Sequence, residues 1–483
     1  MSNKIADDRT SETDRDSYAL ADRAEEGKIS DLEVGKAGSQ PELEQGKLVD
    51  AVWGTIEGDG PNYRSLSWIK ATVLQLKTQV GLGILGLPTA FNILGLVPGI
   101  IVIVAIALIV GWSDYVVGTF KLNHPEVYTV ADVGYMLFGF WGREILGFAF
   151  WLQIVAVTGA SFLSMSVAFN TITEHATCTV VWAIVAMVII GALASIQTLS
   201  RISWLGWLGL ASIMSSVITL MISLGVSDLA PPGDDWSINT QIAATPSFID
   251  AINAVCIIIF SYAGTPNYFS IVGEMREPKD FTKSVIVGQT LMTTVYLIVA
   301  AVVYHYAGEY IASPALGTAG HTIKKVCYGL ALPGLAAGGL ILVHTAAKYV
   351  FVRILRKSVH LSKNTPTHYA VWYGCISITS ILAFIIAEAI PFFNDLISLI
   401  GALLGTLICI QTETYMWVWD HWRATNRGSK KWYALMAMNI TFHFIGWFIL
   451  VSGTYAAVVT IHKDFQDGAL SQPFSCADNS GSN

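Results

Sequence analysis

From residue 66 onward the chain alternates long apolar stretches with short polar joins. An apolar run of about 20 residues crosses roughly 30 Å of hydrocarbon as a helix. The pattern predicts eleven such helices, at 66–91, 95–119, 145–173, 178–197, 202–226, 248–273, 283–306, 324–353, 368–388, 391–418 and 432–461. Residues 1–60 are polar, acidic and nearly without aromatics, so they cannot bury a core and are expected to be disordered. No apolar run precedes residue 66, so no cleavable signal peptide is expected and the first span would direct insertion. The expected class is an all-α polytopic membrane protein: a tail at 1–60, a membrane domain at 61–465 and a short tail at 466–483.

Composition sharpens this. The chain is 53% hydrophobic and 13% charged, against roughly 25% charged in soluble domains. Residues 1–50 hold 20 of the 63 charged residues, which leaves the rest too poor in charge to cover a soluble surface. Soluble enzymes are excluded. The first 50 residues also carry −6 of the net −7, so the acidity belongs to the tail and says nothing about a substrate. No basic stripe supports nucleic-acid binding.

Lys and Arg collect in cytoplasmic loops. With the N-terminus inside, 14 of them fall in inner loops and flanks, against Lys324, Lys325 and Lys463 outside. An odd number of spans then puts the C-terminal tail outside. The sequon Asn439-Ile440-Thr441 lies within the last span, where glycosylation is not expected. The cysteines form no C-x-x-C pair or zinc spacing, and no metal or cofactor is implied. Cys178 and Cys327 both reach the outer end of a span and are the candidate disulfide pair, with two free thiols as the alternative.

Two spans are interrupted. Gly81-Leu82-Gly83-Ile84-Leu85-Gly86-Leu87-Pro88 lies in the first, and Phe260-Ser261-Tyr262-Ala263-Gly264-Thr265-Pro266 in the sixth. Proline removes a helix hydrogen bond and glycine leaves helical geometry cheaply. Freed backbone groups at membrane depth are tolerated only in protein or at a cavity. Kinks that merely ease packing would explain one break. Two, at corresponding places in five-helix halves, are expected of an inverted repeat around a central site.

That site suits a zwitterion. Amides near Gly81, Leu82 and Gly83 at a helix N-terminus would receive a carboxylate. Carbonyls near Ser261 to Gly264 would receive an ammonium. Trp151, Val155, Thr158, Phe260 and Tyr262 would form a wall without charge, which favours a neutral amino acid.

These motifs and the count of spans resemble the amino acid/auxin permease family of the APC superfamily, with the closest similarity to fungal neutral amino acid permeases. The resemblance covers residues 60–465. It implies a five-plus-five inverted repeat with an eleventh helix, and secondary uptake of amino acids between spans one, three, six and eight. Carried over by position, it assigns Gly81 and Gly83 to the carboxylate, with Phe260, Ser261, Tyr262 and Gly264 lining the site.

Sodium-coupled relatives carry an asparagine four residues before the first motif glycine, where this chain has Lys77. An ammonium there would occupy the region that otherwise attracts a cation. Sodium-independent, proton-driven transport is therefore expected. Lys348 and His344 in span eight are further candidates for the ion region, although Lys348 is close enough to Arg353 to snorkel. His305, Asp395, Glu413, His443 and Asp114 also titrate within or at the ends of spans, and spacing alone names no proton carrier among them.

A transporter-like amino acid sensor that signals through the tail is the alternative reading. The tail would otherwise serve trafficking or ubiquitin machinery. A membrane-embedded enzyme has no support, since neither H-E-x-x-H nor G-x-S-x-G occurs. A plasma-membrane site is expected, with a vacuolar membrane as the other possibility.

Overall fold

The computed structural model describes residues 66–195, 199–226, 238–355, 358, 360, 365–422, 427–466 and 472–480, with three strands between 43 and 56. The chain divides into Met1–Pro61 and Asn62–Asn483. In the first unit Leu43–Glu44, Lys47–Asp50 and Gly54–Ile56 pair antiparallel in sequence order. The disorder expected of the remainder of 1–60 lies outside the described residues.

The described part of the second unit is helical. The first apolar stretch is two helices, α1 (Trp68–Gln79) and α2 (Leu82–Leu94). Then come α3 (Leu96–Asn123), α4 (Val130–Thr173), α5 (Thr179–Ala194) and α6 (Leu199–Val226). The sixth stretch is also split, into α7 (Phe248–Ser261), a 3₁₀ turn at Thr265–Asn267 and α8 (Tyr268–Glu274). Beyond it lie α9 (Phe281–Ala307), α10 (His321–Ile354) and α11 (Pro366–Ala389). The next stretch runs from α12 (Phe393–Ile400) through π-helical turns at Gly401–Gly405 and Leu407–Gln411 into α13 (Thr412–Trp422). The last helix is α14 (Lys430–Gln466). Among the described residues nine helical segments are long and apolar enough to cross a membrane, with Leu82–Leu94 and Thr179–Ala194 as shorter apolar helices.

Caps explain several starts. Ser67 accepts the Lys70 amide, Ser247 the Asp250 amide and Thr365 the His368 amide, each satisfying a first-turn donor. The third stretch was expected from 145, yet α4 begins at Val130, where Thr129 and Asp132 form a reciprocal capping box. Gly139, at φ 68°, bends this added segment away from the rest of the helix.

A proline inside α10 shows how the bundle repairs a lost bond. Pro333 interrupts the helix, and the Ser212 hydroxyl from α6 enters the gap. It accepts the Gly334 amide at 2.9 Å and donates to the Leu330 carbonyl at 2.5 Å. A neighbouring side chain thereby satisfies backbone groups that lipid could not.

The disulfide differs from the candidate pairing. Cys178 is joined to Cys476, while Cys327 is a fully buried free thiol within α10. The C-terminal segment folds back onto the bundle, which the sequence pattern does not reveal. The Ala477 carbonyl accepts Thr179 Oγ1 at 2.6 Å, and Asn479 bonds Asn170 and Ser166 of α4. Asn439 of the sequon is fully buried and accepts the Trp112 indole N–H at 3.1 Å.

Candidate functional site

The break between α1 and α2 falls at Val80 and Gly81. Val80 is extended and its amide still reaches the Leu76 carbonyl, closing α1. Leu82 then starts a new helix with no side-chain cap, so its first amides are unclaimed by any capping group. After Ser261 the chain turns through Tyr262 to Gly264 before the 3₁₀ turn begins at Thr265.

Tyr296 of α9 holds the two breaks together. Its hydroxyl lies 3.0 Å from the Gln79 carbonyl and 2.8 Å from the Ser261 carbonyl, one at the end of each first half-helix. Gln79 also donates to the Tyr268 hydroxyl at 2.6 Å, tying α1 to α8. The Tyr262–Tyr296 rings meet edge to face at 5.2 Å. Such pairs add to what area burial supplies.

Between the breaks is a cavity of about 300 Å³. Gly81, Leu82 and Gly83 line it together with Phe260, Ser261, Ala263 and Gly264, Gly83 lying directly against Ser261. Phe150, Gln153, Ile154, Val157 and Ser161 of α4 close one side, and glycines and apolar residues of α6 and α10 the other. Among the described residues no Asp or Glu lines it.

Most of the expected site residues come together here. Lys77 and His344 also line the cavity. The Lys77 ammonium sits 4.2 Å from the centre of the Trp207 ring, a cation–π contact from α6. His344 is buried, its ring edge-on to Trp372 at 5.2 Å. Lys348 is off the wall, exposed on α10 and within electrostatic reach of Glu274.

Two expected wall residues turn away. Thr158 is fully buried and returns its hydroxyl to the Ile154 carbonyl at 2.8 Å. Tyr262 points its hydroxyl to Thr293 at 3.0 Å. Trp151 and Val155 are likewise absent from the wall. The lining face of α4 is one residue out of phase, a rotation of about 100°. Because this stretch is apolar around its circumference, periodicity cannot choose the phase.

The carbonyls expected to face an ammonium are partly engaged. Ser261 O meets Tyr296, Tyr262 O meets the Gly264 amide, and Ala263 O meets Gln153 Nε2 at 3.4 Å. Gly264 O takes the Asn267 amide at 3.1 Å. Gly264 O also takes Asn267 Nδ2 at 3.3 Å, so the second lone pairs left for a ligand are those of Ser261, Tyr262 and Ala263.

The sequence reading missed the α6 and α10 walls in detail. Gly206, Gly209, Gly334 and Gly338 form them, and a Cβ on Gly209 would lie 3.0 Å from the Ala337 Cβ. Small residues three or four apart on facing membrane helices were the available signal.

A helical bundle interrupted twice around a buried cavity is the architecture of a membrane transporter rather than an enzyme. The fold is similar to that of Mhp1, a nucleobase-cation-symport-1 family transporter solved in a closed conformation with bromovinylhydantoin bound. The TM-score is 0.50 at 13% identity, over 85% of this chain and 96% of that one.

The chain belongs to the transmembrane amino acid transporter protein family, which it matches over residues 64–459. It is 35% identical to a transmembrane transporter of Gibberella moniliformis, over 88% of this chain and 90% of that protein. It is 32% identical to the N amino acid transport system protein of Neurospora crassa, over 93% and 94% respectively. The expected kinship with amino acid permeases therefore holds.

Proposed function

We propose that this protein imports neutral amino acids, aliphatic or aromatic, by alternating access, driven by protons and without sodium. The observation that carries the reading is the open α2 N-terminus at Gly81, which lines the same cavity as the Phe260–Gly264 turn, with no Asp or Glu among the described lining residues. Helix amides and the helix dipole suit a carboxylate, and spare carbonyl lone pairs suit an ammonium. With no acid on the wall, a basic side chain would find no partner.

Lys77 supports sodium independence. Its ammonium lies on the cavity wall beside α1, where it opposes a second cation. Counting α1–α2 and α5 as spans gives eleven, arranged as five plus five with one more. The Lys and Arg asymmetry favours a cytoplasmic N-terminus. The plasma membrane fits an importer, and the N-terminal tail would serve turnover.

The test is uptake of a panel of amino acids into proteoliposomes at two external pH values, with sodium or choline. Neutral amino acids are expected to accumulate at low external pH in either salt. Uptake that disappears in choline at constant pH would refute the coupling, and preference for lysine or glutamate would refute the substrate class.

A further inference from the structure

Asp114, well inside α3, is completely buried and does not line the cavity. Its Oδ1 accepts the Thr265 hydroxyl at 2.8 Å and its Oδ2 accepts Gln289 Nε2. Both donors are neutral. The titratable groups facing it are Tyr268 of α8, Cys409 of the second π turn and Glu413 of α13. Among the described residues no Lys, Arg or His acts on it. An ionised carboxylate inside a membrane protein is strongly disfavoured without a counter-charge.

Glu413 supplies a second, independent observation. It is 1% exposed, and neither carboxyl oxygen has a hydrogen-bond partner among the described residues. It is within electrostatic reach of Cys409 and Asp114. The π-helical turns that bring it there are a feature common at functional sites. Two hydrogen-bond donors favour the ionised form of a carboxylate.

The position of Asp114 links it to the cavity. Thr265 follows Gly264, which lines the cavity, and opens the 3₁₀ turn after the sixth-stretch break. Gln289 is on α9, the helix whose Tyr296 reaches both broken ends. We propose that Asp114 is the residue that carries the driving proton, with Glu413 as its buried neighbour, and that its charge state controls how the Thr265 turn is held. The inference rests on the proton-coupled reading above.

The ionised form accepts both donors. When water on one side supplies a proton, an O–H bond forms on one carboxyl oxygen, which then must donate. Gln289 Oε1, buried and without a partner among the described residues, accepts it once the amide rotates. The Gln289 contact reverses in the process, the Thr265 hydroxyl is then held more weakly by a neutral acceptor than by a charged one, and the same proton later leaves to water on the other side. A metal cation fits poorly, because both oxygens face hydrogen atoms.

The test uses the full chain in sodium-free proteoliposomes, with labelled leucine, phenylalanine and glutamine in turn. Wild type should accumulate substrate under an inward proton gradient and should exchange it at symmetric pH. A wild type indifferent to the gradient removes the proton-coupled reading and this inference with it. Given a responsive wild type, Asp114→Asn should lose gradient-driven accumulation about tenfold or more, and its exchange should become insensitive to pH. Asp114→Glu should retain both responses. Wild-type accumulation by Asp114→Asn overturns the assignment. If that variant is inactive in every assay, Thr265→Val decides, because Thr265 only donates to the carboxylate in the steps above. Loss of a donor to the ionised form should move the midpoint of the uptake profile up by about one pH unit. An unmoved midpoint overturns the assignment equally.

Discussion

Gly83 lies directly against Ser261: a Cβ added to the glycine would come 2.6 Å from the serine Cα. The two broken helices thus touch nearly backbone to backbone beside the cavity. The obstacle is main chain, so no rotamer change relieves it. Gly83→Ala should destabilise the protein by about 1–3 kcal/mol, the usual cost of overpacking. It should also reduce uptake by separating the breaks. Thermal unfolding in detergent, compared with wild type, measures the first effect.

Gly81 gives the opposite result. A Cβ there meets no atom within 4 Å, although the residue lines the cavity. Gly81→Leu should fold and reach the membrane normally while its side chain fills the carboxylate position. Uptake should fall to background with an unchanged melting temperature. Wild-type uptake would remove the proposed carboxylate site.

Outside the spans, His124 contacts Asp420 at 2.6 Å, with Glu126 at 3.6 Å. The Asp420 hydrogen bond raises the imidazole above its ordinary value near 6.5, partly offset by burial. The folded state therefore holds this proton more tightly than the unfolded chain. Its stabilisation is complete below about pH 6.5 and is lost as pH rises through the elevated folded value. Asp420→Asn should flatten the decline in melting temperature between pH 6 and 8. The pair is only partly shielded from solvent, so the effect should shrink further in high salt.

The Cys178–Cys476 bond ties the C-terminal segment to the start of α5 across 298 residues. Reduction, or Cys476→Ser, should lower stability by about 2–4 kcal/mol. Non-reducing digestion should yield the two peptides joined. Recovery of Cys178 joined to Cys327 would contradict the structure.

Much of the site could be read in the chain because proline and glycine act locally. Both helix breaks fall where the Gly81–Pro88 and Phe260–Pro266 runs predict them, and Gly81, Leu82, Gly83, Phe260, Ser261 and Gly264 share one cavity. Thr158 and Tyr262 were not legible in the same way. Each lies on a helix or turn apolar on several sides, and the hydroxyl found a local acceptor or Thr293 instead of the cavity.

Local chemistry alone determined where the helices begin, where two of them fail, and that their surroundings are hydrocarbon. Those properties depend on residues a few positions apart. Tertiary structure decided which face of α4 meets the cavity, which cysteine Cys178 finds, and which donors Asp114 receives. Such choices join residues as distant as Asp114 and Gln289, or Cys178 and Cys476, whose meeting depends on how whole helices pack and where the tail returns.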